Sequence, residues 1–193
     1  MNSSETKAIF LDRDGTINKE VNYLYKPLDF FFIPKVVDAI KIFHDLGYLV
    51  IVITNQSGVA RGYYTEDDIV ALHRHIDQEL KKIASTGAGT GYYEENIEYA
   101  YKNGYYIDAY YYCPHHPNGI IPQYAITCNC RKPNTGMIVR AIKDFREKGI
   151  YINLSKSFLV GDKEIDIQAG KNSGIHKTVL VRSGQKTEEY NTM

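Results

Sequence analysis

Short apolar runs alternate along this chain with longer segments in which apolar residues recur every three or four positions. The short runs predict buried strands at residues 7–11, 49–53, 109–112, 157–160 and 177–181. The longer segments predict helices at residues 36–46, 65–83 and 138–145, with a further short helix from about residue 164. Because strands and helices alternate, we expect an α/β fold with a Rossmann-like, mostly parallel sheet and helices on both faces.

Signals at the helix ends agree with this pattern. Gly47 directly follows the first helical segment, where glycine commonly ends a helix. Thr65 stands at the start of the second segment and Asp68 lies three residues further on, the spacing of reciprocal capping at a helix N-terminus. These residues predict where the first helix ends and where the second begins.

Polar residues come where four of the predicted strands end. Asp12 follows the first strand, Thr54 the second, Cys113 the third and Asp162 the fourth. Ligands of open parallel sheets bind beyond the carboxyl ends of the strands. These polar residues therefore fall at the edge of the predicted sheet where such folds bind their ligands.

Residues 85–107 interrupt the alternation. We expect a flexible link at residues 85–91 and a short helix within residues 92–102, closed by Asn103 and Gly104. Nine of the 17 tyrosines lie between residues 92 and 112. Two interpretations stay open: an inserted element that packs its own aromatic rings, or a lid or self-association surface, since tyrosine is enriched at interfaces.

The composition narrows the classes of function. The 193 residues are expected to form one domain, residues 1–193. Lys and Arg total 23, as do Asp and Glu, and this zero net charge argues against a nucleic-acid partner. No apolar segment has the length of a membrane span, and the polar residues 1–7 do not resemble a signal peptide. We expect a cytoplasmic protein with reduced cysteines.

Two carboxylates two residues apart follow the first strand, in the sequence Asp12-Arg13-Asp14-Gly15-Thr16. One can attack phosphorus while the other handles the proton of the leaving group. The spacing alone also fits a solvated loop or a cation site. The preceding strand, and a glycine that permits a sharp turn, favour phosphoryl transfer.

Two further segments offer groups suited to a phosphate. The loop that begins at Thr54 carries a hydroxyl and free backbone N–H groups, although the same residue types also form ordinary turns. Lys132 supplies an ammonium that can offset phosphoryl charge, and Arg131 has a planar guanidinium suited to phosphate. The alternative for this basic pair is a solvated surface position.

Three cysteines and a histidine form a second chemical signal in the loop spanning residues 113–130. The spacing C-x-H-x₁₂-C-x-C predicts a closed tetrahedral zinc site of structural type, formed by Cys113, His115, Cys128 and Cys130. His116 is adjacent to His115, and the spacing alone leaves it open as the ligand. Buried free cysteines are the alternative.

The motif Asp12-to-Thr16 resembles that of the haloacid-dehalogenase-like phosphatases. Together with T-N-Q-S-G-V-A-R-G, Y-C-P-H-H-P, C-x-C-R-K-P and V-G-D-K, it is similar to the D-glycero-D-manno-heptose 1,7-bisphosphate 7-phosphatase family, whose near relatives are the zinc-containing histidinol-phosphate phosphatases. The resemblance implies that Asp12 is the nucleophile, that Asp14 is the acid/base, and that Thr54 and Lys132 stabilise the phosphoryl group. It also implies catalytic Mg²⁺ held by Asp12, Asp162 and the Asp14 main-chain carbonyl, and no large cap domain.

The same resemblance implies the substrate and its contacts. The expected reaction is hydrolysis of the C7 phosphate of a heptose bisphosphate, with histidinol phosphate as the alternative substrate. Expected substrate-binding residues are Glu20, Val21, Asn22, Tyr23, Asn55, Gln56, Ser57, Arg61, Arg131 and Lys163. We expect a monomer with no nucleic-acid or membrane partner. A non-catalytic phospho-receiver and a zinc-dependent binding module are the alternatives of other classes, and Asp14 disfavours the first.

Overall fold

A parallel sheet forms the centre of the computed structural model, which describes residues 5–87 and 97–184. Its strands are Glu5–Leu11 (β1), Tyr48–Asn55 (β2), Ala109–Cys113 (β3), Tyr151–Ile152 (β4), Phe158–Gly161 (β5) and Lys177–Leu180 (β6). Five strands lie in the order β3-β2-β1-β5-β6, each parallel to its neighbour, and β4 pairs with the start of β1. The predicted α/β fold with a mostly parallel sheet is confirmed.

Helices cover both faces of this sheet. They are Val36–Asp45 (α1), Glu66–Gly87 (α2), Ile97–Lys102 (α3), Gly136–Glu147 (α4) and Glu164–Ser173 (α5). Alternation along β1 explains the two layers, because successive side chains of a strand point to opposite faces. Ile9 and Leu11 pack with apolar residues of α1 and α2, whereas Ala8 and Phe10 pack with those of α4.

Most predicted elements lie within a few residues of their observed bounds. Thr65 caps α2 as expected: its Oγ1 accepts from Asp68 N at 3.2 Å, and its own N–H donates to Asp68 Oδ2 at 2.8 Å. The strand β4 was not predicted, because two residues cannot show a period. Thr54 lies within β2 and Cys113 is the last residue of β3, whereas both were expected to follow their strands. The difference arises because each strand extends beyond its apolar run.

The Tyr-rich segment contributes a short helix to the described residues. The predicted helix is present at α3, while residues 92–96 of the prediction and most of the link lie outside the described residues. Ala100 is fully buried, and the Tyr106 ring stacks on His44 at 4.0 Å between centroids. In its described part the segment packs its aromatic rings against the fold, as the first interpretation expects. A lid or a self-association surface stays a prediction.

Within residues 5–87 and 97–184, no helix is both long enough and apolar enough to cross a membrane.

Candidate active site

The carboxyl ends of β1, β2 and β5 lie side by side and bring the predicted residues to one edge of the sheet. Asp12 follows β1, Asp162 follows β5, and Thr54 lies near the end of β2. A hollow of about 220 Å³ opens there, lined by Asp12, Asp14, Glu20, Asn22, Tyr23, Thr54, Asn55, Gln56, Ser57, Tyr64 and Lys163. A larger hollow of about 460 Å³ lies beside β3, but its lining includes neither Asp12 nor Asp14. The chemistry therefore points to the smaller one.

Lys132 is buried between two carboxylates. Its ammonium lies 2.8 Å from Asp12 Oδ1 and 2.6 Å from Asp166 Oδ1, and it donates to the Ile53 carbonyl at 2.9 Å. Burial by itself lowers the pKa of Lys132, but the charges of Asp12 and Asp166 outweigh burial and raise it above its ordinary value. Lys132 is therefore a fixed cation beside the predicted nucleophile.

Asn55 fixes the backbone of Lys132 across the sheet. Its Oδ1 accepts from Lys132 N at 3.0 Å, and its Nδ2 donates to Lys132 O at 3.2 Å. This reciprocal pair uses both ends of the amide. Asn55 was predicted to bind substrate, and the contact shows that it positions Lys132.

Asp14 is held by donors on several sides. Arg13, itself fully buried, donates to both oxygens of Asp14 at distances of 2.8–3.2 Å. Asn18 donates to Oδ1 at 3.0 Å and Gln56 to Oδ2 at 2.9 Å. Burial would raise the pKa of Asp14, but the Arg13 charge and the hydrogen bonds from Asn18 and Gln56 outweigh it and lower the pKa. The resting carboxylate is ionised and can accept a proton from water.

The acidic cluster beside Asp12 has the chemistry of a magnesium site. Carboxylate oxygens of Asp12, Asp162 and Asp166 all lie within 4.8 Å of one another. Asp166 is already engaged by Lys132 and by the Lys163 N–H, whereas Asp162 Oδ1 is buried without a hydrogen-bond partner among the described residues. Burial raises the pKa of Asp162 to about 7; the Lys163 charge opposes this shift, and the charges of Asp12 and Asp166 add to it. Asp12 and Asp162 thus fit a hard divalent ion.

Gly15 is required by this arrangement. It has φ +82, and a Cβ at this position would collide with Asp162 Oδ2 and approach the Cα of Gly184 to 2.8 Å. The absence of a side chain at Gly15 lets the loop after β1 lie against Asp162.

The remaining predicted substrate-binding residues divide into two groups. Glu20 and Lys163 form an ion pair at 2.8 Å on the wall of the catalytic hollow, which also includes Asn22, Tyr23 and Ser57. Val21 lines a neighbouring hollow instead. Arg61 and Arg131 lie at the loop of residues 113–130: Arg61 Nη2 is 3.3 Å from His116 Nε2, and Arg131 donates to the His115 carbonyl at 3.2 Å.

The Cys/His cluster is compact. The three sulfur atoms of Cys113, Cys128 and Cys130 are 3.0–3.5 Å apart, and His115 Nδ1 lies 3.3 Å from Cys130 Sγ. Hydrogen bonding from Cys113 leads the effects that lower the pKa of Cys130 to about 5, while the pKa of Cys113 is raised. Three cysteine sulfurs and one imidazole nitrogen, all within 4.8 Å of one another, form a donor set that suits zinc. The cluster includes His115, whereas His116 contacts Arg61.

Three residues that sequence reasoning did not select contribute to the site: Arg13, Asn18 and Tyr64. The sequence carried a signal for Arg13, because a guanidinium between two aspartates is expected to pair with a carboxylate rather than to face solvent only. Asn18 and Tyr64 carried no such signal, since their partners are set by the folded loops.

Two comparisons of sequence identify the family. The family described as polynucleotide kinase 3 phosphatase matches residues 7–179. A D-glycero-alpha-D-manno-heptose-1,7-bisphosphate 7-phosphatase of Photorhabdus laumondii is 41% identical over 98% of this chain and 90% of its own length. The corresponding beta-named enzyme of Haemophilus influenzae is 38% identical over 93% of this chain and 83% of its own.

Solved structures agree with these relatives. A Mesorhizobium loti protein described as a HAD-like phosphatase has a TM-score of 0.72 and 33% identity, covering 91% of this chain and 72% of its own. A D,D-heptose 1,7-bisphosphate phosphatase from B. bronchiseptica, complexed with magnesium and phosphate, has a TM-score of 0.68 and 26% identity, covering 97% and 88%. The chain is therefore a phosphoric monoester hydrolase that belongs to the haloacid-dehalogenase-like phosphatases and, within them, to the family of the heptose-1,7-bisphosphate 7-phosphatases.

Proposed function

We propose that this enzyme hydrolyses the C7 phosphate of D-glycero-D-manno-heptose 1,7-bisphosphate and releases heptose 1-phosphate for nucleotide-heptose biosynthesis. The observation that carries the proposal is the pair Asp12 and Asp14 in the wall of one hollow, with Asp162 in the carboxylate cluster of Asp12 and Lys132 fixed at 2.8 Å from Asp12. The names of the relatives supply the sugar. The net charge of zero and the small hollow favour a sugar phosphate over a nucleic-acid end.

The proposed reaction has two steps. Asp14, ionised in the resting site, takes up a proton from solvent when the anionic substrate binds. An oxygen of Asp12 then attacks phosphorus, the bond from phosphorus to the C7 oxygen breaks, and Asp14 gives its proton to that oxygen. Asp14 then takes a proton from water, which attacks the aspartyl-phosphate and releases inorganic phosphate and Asp12. Lys132 and Thr54 stabilise the phosphoryl oxygens. Mg²⁺, when held by Asp12, Asp162 and the Asp14 carbonyl, supplies further neutralisation of phosphoryl charge.

The two groups of substrate contacts suit the two ends of a bisphosphate. Glu20, Val21, Asn22, Tyr23 and Lys163 would meet the sugar at the mouth of the hollow, beside Asn55, Gln56 and Ser57. Arg61 and Arg131 would recognise the C1 phosphate through charge. Zn²⁺ held by Cys113, His115, Cys128 and Cys130 would stiffen the loop that carries Arg131 and Lys132. We assign the chain as a single domain, residues 1–193, that works as a cytoplasmic monomer.

A comparison of substrates tests the proposal. Phosphate release with Mg²⁺ is measured for both anomers of heptose 1,7-bisphosphate, for histidinol phosphate and for a 3′-phosphorylated oligonucleotide, with Asp12→Asn as the inactive control. We expect kcat/KM for one of the heptose anomers to be at least tenfold higher than kcat/KM for histidinol phosphate and for the oligonucleotide. Higher kcat/KM for histidinol phosphate or for the oligonucleotide would reject the sugar. Near wild-type turnover by Asp12→Asn would reject the mechanism.

A further inference from the structure

Tyr64 lies in the wall of the catalytic hollow, one residue before the cap of α2. Its side chain is 7% exposed, and its hydroxyl donates to Gln56 Oε1 at 2.7 Å. The ring stacks on Tyr25 with 5.3 Å between centroids and 24° between planes. Two packed rings therefore fix the position of a single hydroxyl that points at the loop after β2.

A glycine is needed on the other side of the ring. A Cβ at Gly58 would collide with the Tyr64 ring. The Tyr63 N–H donates to the Gly58 carbonyl at 2.9 Å, so the loop closes tightly around this contact. The loop thus provides a specific place for the Tyr64 ring.

Gln56 receives its orientation from this hydroxyl. The Gln56 amide is 2% exposed, and its Nε2 donates to Asp14 Oδ2 and to Thr54 Oγ1, both at 2.9 Å. An ionised carboxylate can only accept, so the NH₂ end must face Asp14 and the oxygen must face Tyr64. The hydroxyl supplies the one donor that this oxygen receives in the described contacts. If the amide were reversed, the Gln56 side-chain oxygen would face the Asp14 carboxylate oxygen, and two acceptors would then lie against each other.

The hydroxyl stays a donor at the pH values where phosphatases are assayed. Burial raises the pKa of Tyr64 to about 12, so the O–H is retained. Without it, Gln56 Oε1 would be a buried acceptor without a partner, which favours rotation of the amide.

We propose that Tyr64 is a positioning residue for phosphoryl transfer, because its hydroxyl orients the Gln56 amide that holds Asp14 and Thr54 in place. Tyr64 transfers no proton and does not act on phosphorus. Its effect passes through Gln56 to the carboxyl group that protonates the leaving oxygen. This inference rests on the proposed role of Asp14 as the acid/base.

The test compares esters that differ in their need for a proton. Alkyl leaving groups, as in heptose 1,7-bisphosphate or histidinol phosphate, need protonation, whereas the nitrophenolate of p-nitrophenyl phosphate leaves without it. We expect Tyr64→Phe to lower the single-turnover rate of leaving-group release about tenfold on the better alkyl ester and less than about twofold on p-nitrophenyl phosphate. Leaving-group release is measured rather than kcat because Asp14 also serves the later hydrolysis of the aspartyl-phosphate, a step that both ester types share. Tyr111→Phe is the matched control, since Tyr111 is 8% exposed and its hydroxyl donates to Asp144 away from the site.

Two reference variants separate this inference from the proposed function. Asp14→Asn should show the same dependence of leaving-group release on ester type more strongly; if it does not, the acid role of Asp14 and this inference both fail. Tyr64→Phe should cause no further loss in a Gln56→Met background, because the hydroxyl then has nothing to orient. An additive loss in the double variant, or equal losses on both ester types when Asp14→Asn discriminates between them, overturns the role of Tyr64 alone. Melting temperatures of all variants check that the fold is retained.

Discussion

At the scale of single residues, the charge balance of the site depends on Lys132. Its ammonium is 3% exposed and lies within 2.8 Å of both Asp12 and Asp166. Taking a cation out of water is costly, and this cost is offset here by two anions at contact distance. Among residues 5–87 and 97–184, neither carboxylate has a second ammonium or guanidinium within 4.0 Å, so the three side chains must be considered together.

Replacing Lys132 by methionine should affect both stability and catalysis. The variant keeps the volume of the side chain but leaves two buried carboxylates without their cation, which we expect to cost about 3–5 kcal/mol in the free energy of unfolding. We expect kcat to fall at least ~100-fold, since a fixed charge beside the phosphoryl group is lost. Urea unfolding and steady-state kinetics measure the two effects.

Lys156 provides the control for Lys132. It pairs with Glu5 at 3.1 Å, but its side chain is 62% exposed, so Lys156→Met should change stability by less than ~1 kcal/mol and leave kcat unchanged. Equal effects of the two substitutions would contradict the role assigned to burial.

At the scale of elements, the loop between β3 and α4 connects the Cys/His cluster to the catalytic lysine. Lys132 lies two residues after Cys130, and the Gly136 N–H donates to the Asn129 carbonyl at 2.8 Å where α4 begins. Asn134 Nδ2 donates to the Cys128 carbonyl at 2.8 Å. The cluster thus fixes both ends of the short stretch that carries Lys132.

Replacing one cysteine of the cluster should therefore release the proposed zinc. It should also disturb the catalytic site, although none of the proposed zinc ligands lines the catalytic hollow. For Cys128→Ser we expect loss of most bound zinc, a melting temperature lower by several degrees, and a lower kcat in saturating Mg²⁺. Metal analysis, thermal melting and kinetics measure these. The control is His116→Gln, which changes the residue next to His115 of the cluster. This variant should retain the bound zinc. Full zinc content in Cys128→Ser, or its loss from His116→Gln, would show that the ligand set is wrong.

The elements also show what the sequence could predict. The period of apolar residues located β1, β2 and the sheet class, because each long element carries enough positions to repeat. The two-residue β4 has no period to detect. The motif residues could be expected to meet because strand ends share one edge of a parallel sheet. Contacts such as Asn55 with Lys132, 77 residues apart, depend on the path of two loops, which no local pattern encodes.

At the scale of the whole molecule, one interface between layers contains a histidine that cannot easily be charged. His73 of α2 is 5% exposed, its ring stacks on Tyr110 of β3 at 4.4 Å, and Tyr112 lies 6.1 Å away. Its Nε2 has no hydrogen-bond partner in the described part of the chain. Burial lowers the pKa of His73 to about 3; the Arg13 charge adds to this, and Asp14 opposes it.

The contribution of His73 to the stability of the fold should consequently fall as the pH falls below about 7. The unfolded chain binds a proton at His73 near its ordinary pKa of 6.5, whereas the folded chain does not until about pH 3, so this group favours unfolding across that window. Between pH 7 and pH 5 we expect His73 to remove about 2 kcal/mol of stability. Urea unfolding at several pH values is measured for the wild type, for His73→Leu and for the exposed-histidine control His176→Gln, which should keep the wild-type pH dependence. Between pH 7 and pH 5 the change in the free energy of unfolding should be more favourable by about 2 kcal/mol in His73→Leu than in the other two proteins. A pH dependence equal to that of the wild type would contradict a neutral buried imidazole at this interface.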